Sequence, residues 1–289
     1  MKLKNITALY RASPEFHSLS FNTIRIYEQA FGYLKDWMEK DGDWFTRPKI
    51  IDIRDTLAKR GVHQCRMGIW VLNNIMSFGY DRGLCANNHA ARVKGLPKTK
   101  PIPRWTDDEC EKFLKVAPDY MRLAFCLALY TGQRRSDLIR MKWSQYDGNV
   151  ITLLQQKTGR LLHIPVHPEL KNELDAAKAR QDKHFAEKRK MPHGCILTSA
   201  RYEMWSLDYF TNSFRELLKK IGIKDRSVHG LRKTTAAKLA ELGCSPHLIA
   251  SITGHKSLTE IMNYTSEADQ KRMAMEAMTT WVSSQTAPS

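Results

Sequence analysis

Apolar side chains at Ile24, Tyr27, Phe31, Leu34, Trp37 and Met38 recur at helical spacing, and Ser20 stands where an N-cap belongs. A first helix is therefore predicted over residues 20–40. A second is predicted from about Pro48 to Arg60. A third runs from about His63 to Tyr80, with Met67, Trp70, Val71, Asn74 and Phe78 in register and a stop near Gly83. Nothing before residue 93 alternates as a strand would, so this part reads as a small all-helical unit. Only about 18 residues precede its first predicted helix, too few to bury a core of their own.

Residues 94–104 break the pattern. Pro97, Pro101 and Pro103 stand among Lys94, Lys98, Lys100 and Arg104, and proline holds such a segment extended. An ordinary linker and a basic strap lying along a polyanion's backbone are equally open readings. Thr106 with Glu109 forms a capping box and opens a second domain. A helix from about Asp119 ends at Gly132, and a short one follows from Arg135 to Met141. Residues 149–155 and 161–166 alternate as two strands around a turn at Lys157–Arg160. Helices are predicted at about 168–187, 207–221, 230–242 and 246–253, the last opened by Ser245-Pro246. Ser257-x-x-Glu260 and Ser266-x-x-Asp269 cap two more. The second of these begins a tail helix, Glu267 to Trp281, with Met273, Ala274, Ala277, Met278 and Trp281 on one stripe. The cations from Lys178 to Lys190 read as a fraying, solvated run. The fold class is mainly α with a small antiparallel β-sheet, arranged as domain 1–93, linker 94–104 and domain 105–289.

Composition agrees with two domains. The chain has 289 residues, of which 42% are hydrophobic, enough for two cores. Lys plus Arg is 46 against 30 for Asp plus Glu, a formal charge of +16. Such an excess favours a polyanionic partner, because each neutralised phosphate releases counterions. A ribosome-associated or anionic-lipid-binding protein is the blander alternative. The first ten residues have no signal-peptide core, and no stretch approaches 18 apolar residues, so a cytoplasmic protein with no membrane partner is expected. The six cysteines form no C-x-x-C pair and read as reduced thiols. Pro165 between His163 and His167 spoils helical ligand spacing, and His193 and Cys195 lack partners. No metal and no cofactor are expected.

Several polar residues, each innocent alone, together suit phosphoryl transfer. Arg134 follows the helix-ending Gly132, and His229 and Arg232 share one helix face at i, i+3. Lys157 tops the hairpin, His255 follows Gly254 at a helix end, and Tyr264 lies in Ile-Met-Asn-Tyr-Thr. Two guanidiniums can clamp the nonbridging oxygens of a pentavalent phosphorus and stay charged at any working pH. A phenol is a capable nucleophile when a base and a cationic field assist its ionisation. A lysine on a hairpin can protonate the departing oxygen.

In order and separation, Thr131-Gly-x-Arg134-x-Ser136-Asp137-Leu138, Lys157-Thr-Gly, His229-x-x-Arg232, Gly254-His255 and then Tyr264 resemble the tyrosine recombinases, and the phage integrases among them. The likeness covers roughly residues 20–280 and is strongest from 125 onward. It implies a helical, SAM-like core-binding domain followed by an α+β catalytic domain. It also implies that Arg134 and Arg232 form the clamp, Lys157 is the general acid, and His229 and His255 bind or move protons at the phosphate. Tyr264 would form a 3′-phosphotyrosine, and Asp137 would support its neighbours. The implied partners are double-stranded DNA core sites, further copies of the chain in a tetramer that is monomeric off DNA, and accessory bending or excisionase proteins. The resemblance adds a nucleoid-associated setting and, for the tail helix, docking on a neighbouring protomer. With so short a leader before the first predicted helix, recognition of core sites alone is expected, without a strand-built arm-binding domain. A type IB topoisomerase and a catalytically silent DNA-binding homologue are the competing readings.

Overall fold

The computed structural model describes residues 1–93, 102–259 and 261–262, and of the tail only residues 270, 274–275, 278–279 and 281. The chain divides into two units, Met1–Lys100 and Pro101–Ser289. The first is helical: α1 (Leu3–Arg11), α2 (Pro14–His17), α3 (Phe21–Tyr33), α4 (Arg47–Arg60) and α5 (Val62–Asp81). Its core gathers around α5, which buries Cys65, Ile69, Val71, Leu72, Ile75, Met76 and Phe78.

Two expectations for this unit need correction. The segment before residue 20 is not a featureless leader. It forms α1 and α2, and it puts Leu3, Ile6, Tyr10 and Phe16 into the shared core. Too short to bury a core alone, it completes one with α5. The predicted helix over 20–40 also ends early. Ser20 does cap α3, accepting the Thr23 N–H, but the α-helix stops at Tyr33 and a 3₁₀ turn follows at Lys35–Trp37. The cause lies in α1, whose first N–H groups have no partners within their own helix. The Leu3 N–H donates to the Lys40 carbonyl and the Lys4 N–H to the Met38 carbonyl, each at 2.9 Å. A straight α3 would carry those carbonyls away.

The second unit runs α6 (Asp107–Val116), α7 (Asp119–Thr131), α8 (Arg135–Leu138), β1 (Val150–Leu154), β2 (Leu161–Pro165), α9 (Pro168–Glu187), α10 (Leu207–Lys220), α11 (Val228–Glu241) and α12 (Pro246–Thr253). The capping box at Thr106 and Glu109 is formed. Helix α7 is apolar nearly all round and lies in the core between α9 and α11, as its buried run from Leu123 to Leu129 requires. Trp105, Phe113, Phe125 and Phe214 pack ring against ring beside it, Phe113 on Phe125 at 4.5 Å between centroids. The strands pair antiparallel with Ile151 opposite Ile164 and Leu153 opposite Leu162, and those four side chains face inward. The cationic stretch from Lys178 stays helical to Glu187 rather than fraying earlier. Lys178–Asp182 and Lys183–Glu187 pair one turn apart along it.

Candidate active site

Helices α7 and α12 both end on a glycine in the left-handed region, Gly132 at φ 61° and Gly254 at φ 70°. A Cβ would be tight at 132 and would overlap its neighbours at 254. At 132 it would meet Thr253 Cγ2 at 3.0 Å, and at 254 it would meet the Gln155 carboxamide at 2.4 Å. The two helix ends are therefore pressed together and onto the hairpin. Between them lies Arg232 of α11, only 2% exposed. Its Nη1 donates to the Gly132 carbonyl at 2.8 Å and to the Thr253 carbonyl. A buried guanidinium is costly unless its charge is met. Here the negative ends of two helices meet it.

Arg134 is the N-cap residue of α8 and is half-buried. Its Nη1 donates to Gln155 Oε1 at 3.2 Å, and Gln155 Nε2 donates to the Thr253 carbonyl at 2.9 Å. That oxygen is also an acceptor for Arg232, so one amide and one carbonyl join the two arginines. Asp137 is buried. Its Oδ1 accepts the Gln156 N–H at 3.1 Å, which backs the start of the turn that carries Lys157. Lys157 itself is exposed at the tip of the turn. The far side of the hairpin docks through Arg160, whose Nη1 donates to the His255 carbonyl at 2.7 Å.

His255 is buried, with Nδ1 2.7 Å from Thr253 Oγ1. The Thr253 hydroxyl already donates to the Ile249 carbonyl at 2.6 Å, so in this pair it accepts and the imidazole proton resides on Nδ1. The lone pair is then on Nε2, the basic tautomer for that nitrogen. Burial above all, then the charges of Arg232 and Arg134 and the neighbouring His229, push the His255 pKa down to about 3. The ring is neutral at physiological pH. His229 is exposed in the first turn of α11, which Ser227 caps by accepting the Gly230 N–H at 3.2 Å.

Arg134, Arg232 and His255 thus meet around the end of α12. Asp137 and Arg160 tie the Lys157 hairpin to the same region. The predicted nucleophile Tyr264 and the linker cations Lys94, Lys98 and Lys100 lie outside the described residues. Arg104 is paired with Glu241 at 2.5 Å on the surface. Among the described residues no three His, Cys, Asp or Glu side chains lie close enough together to hold a metal, and no helix is long and apolar enough to cross a membrane. Sequence reasoning passed over Gln133, Gln155, Thr253 and Arg160. One signal for Gln155 was present: it continues the inward alternation of Ile151 and Leu153, where an apolar side chain would be expected.

A family model described as "Phage integrase family" matches residues 103–271. The integrase of Escherichia phage lambda is 30% identical over 190 residues, covering 63% of this chain and 52% of that protein. The chain thus spans about half the length of the curated relatives it matches. Among solved structures, a lambda integrase (75–356) dimer bound to a COC′ core site matches with a TM-score of 0.79 at 23% identity, covering 92% of this chain and 95% of that one. A lambda integrase tetramer bound to a Holliday junction matches at 0.74 and 24% identity, covering 90% and 79%. With the matched segment enclosing every residue of the Arg134–Arg232–His255 cluster, this chain belongs to the phage integrase family.

Proposed function

We propose that the protein is a site-specific recombinase of double-stranded DNA, cutting and rejoining strands through Tyr264 for the integration or excision of a phage or mobile element. The observation that carries this is the pair of guanidiniums joined through Gln155 and the Thr253 carbonyl, with a neutral His255 at the same helix end. Such a site suits a phosphodiester. Arg134 and Arg232 stabilise charge developing on the nonbridging oxygens. The Tyr264 oxygen bonds to phosphorus as the bond to the 5′ oxygen breaks, and Lys157 gives that oxygen a proton. His229 and His255 bind the phosphate or move the phenolic proton. Rejoining reverses each step, so the phosphotyrosine conserves the bond and no nucleotide is consumed.

In this reading residues 1–93 hold the core-site duplex, and residues 94–104 pass along its backbone. Residues 105–289 carry the chemistry, within a DNA-bound tetramer in the bacterial or phage-infected cell. The tail helix docks on a neighbouring protomer. The core-site and Holliday-junction complexes of lambda integrase support the DNA partner and the tetramer. The test is covalent trapping on a nicked core-site substrate followed by denaturing electrophoresis. Wild type should form the adduct, and Tyr264→Phe should bind DNA equally well and form none. An adduct persisting in the variant would assign the chemistry to another nucleophile.

A further inference from the structure

We infer that Gln155 is a positioning residue whose carboxamide fixes the turn bearing Lys157 against Arg134 and the Thr253–His255 segment. The inference rests on the recombinase reading above and adds a residue to its machinery. Gln155 is fully buried at the end of an inward-facing row that Ile151 and Leu153 begin. A leucine there would serve packing alone. The amide instead satisfies both of its donors and both acceptor directions of its oxygen. Nε2 donates to Gln133 Oε1 at 2.6 Å and to the Thr253 carbonyl at 2.9 Å. Oε1 accepts from Arg134 at 3.2 Å and from the Thr158 hydroxyl at 2.6 Å. These partners also fix its orientation. A flipped amide would set its NH₂ against the Arg134 guanidinium, which can only donate, and its oxygen against the Gln133 and Thr253 oxygens.

The backbone of the same residue closes the turn. The Gln155 N–H donates to the Arg160 carbonyl and its carbonyl accepts the Gly159 N–H, both at 2.9 Å. Lys157 therefore lies in the short stretch between the two residues whose side chains meet, Gln155 and Thr158. On the other side the amide presses on residue 254, where any Cβ would overlap it. A general acid acts only within hydrogen-bond reach of the oxygen it protonates, and an ångström of misplacement costs about 100-fold. The Thr158–Gln155–Thr253 chain supplies that registration between an exposed turn and the phosphate clamp.

The experiment compares Gln155→Leu and Thr158→Val with Lys157→Ala on two nicked core-site substrates, one with an ordinary scissile phosphodiester and one with sulfur at the bridging 5′ position. A thiolate departs without protonation, so a misplaced acid matters little on the second. Thermal unfolding and core-site affinity are measured on each variant. Thr158→Val removes only the hydroxyl that ties the turn to the amide, so it reads the inference even where Gln155→Leu fails to fold. Expected is slowing on the phosphodiester of about 10-fold for Thr158→Val and about 100-fold for Gln155→Leu. On sulfur the Thr158→Val defect should all but vanish. The Gln155→Leu defect should shrink at least several-fold, leaving the share due to Arg134. A merely structural role lowers both substrates equally. Equal slowing on both, or wild-type rates, overturns the inference while wild-type cleavage leaves the recombinase reading standing. Wild type forming no Tyr264 adduct on either substrate overturns that reading and this inference with it.

Discussion

The interior of the first unit and the region behind the arginine cluster are both buried, yet they are built on opposite principles. In the first unit Tyr10, Phe16, Tyr27, Phe31 and Phe78 pack with ring centroids 5.1–6.0 Å apart. Its polar insertion is small. Tyr10 Oη donates to Tyr27 Oη at 3.1 Å, and Asn74 Nδ2 donates to the same phenol at 2.7 Å. Behind the arginines, the buried groups are a guanidinium, an imidazole, two amides, a carboxylate and several threonine hydroxyls. Apolar burial is non-directional and tolerates modest change in shape. A buried hydrogen-bond network works only when each donor meets an acceptor, and each atom lost leaves another stranded. The first region sets a shape; the second sets the positions of individual atoms.

Replacing the buried cation tests this contrast hardest. Arg232→Met keeps much of the side-chain volume but leaves the Gly132 carbonyl without its donor, at about 1–3 kcal/mol, while Gln155 Nε2 still serves the Thr253 carbonyl. Adduct formation should fall by at least about 100-fold, the scale for losing one fixed charge-stabilising donor. Calorimetry and the trapping assay read the two effects. A variant as stable as wild type would mean that the cation is not what organises the region.

The next effect is pH dependence. The folded-state pKa of His255, about 3, lies below its ordinary value of 6.5. As pH falls below 6.5 the unfolded chain takes this proton and the folded chain does not until about 3. Stability is therefore lost across that window, by at most about 1.4 kcal/mol per pH unit, and the residue contributes no slope above it. The stability of wild type minus that of His255→Gln should decrease steadily from pH 6.5 to 4. A constant difference would mean that neither burial nor the charges of Arg232, Arg134 and His229 keep the folded-state ring neutral.

Least affected should be Tyr27→Phe, which removes one hydroxyl from the aromatic interior and keeps its rings. A loss of about 1 kcal/mol in urea unfolding is expected, with cleavage per folded molecule unchanged. A loss several times larger would show that the first unit also depends on a polar network.

Much of this architecture was legible because capping and periodicity are local. Ser20, Thr106 and Ser245 cap as their positions suggest, and α9 starts at Pro168 as expected. The unread parts depend on contacts distant in sequence. Helix α1 spends its apolar side chains, Leu3, Ile6 and Tyr10, on a core that it shares with α5, and the end of α3 is set by what α1 needs from residues 38–40. At the site, the spacing of motifs marked out Arg134 and Arg232. The amide and the carbonyl that join them carry no motif, since one is a lone polar side chain just past the end of β1 and the other is a backbone atom.

The bond from Arg232 to the Gly132 carbonyl spans 100 residues, and the Thr253 carbonyl comes 21 residues later still. A chain growing from the ribosome at about 5–20 residues per second makes the first unit several seconds before these atoms exist. Until the end of α12 emerges, Arg232 has no Thr253 carbonyl, Gln155 lacks one of its acceptors, and His255 has not been made. An unfinished chain can therefore hold its whole first unit, but the cluster of Arg134, Arg232 and His255 assembles only once the end of α12 has been made.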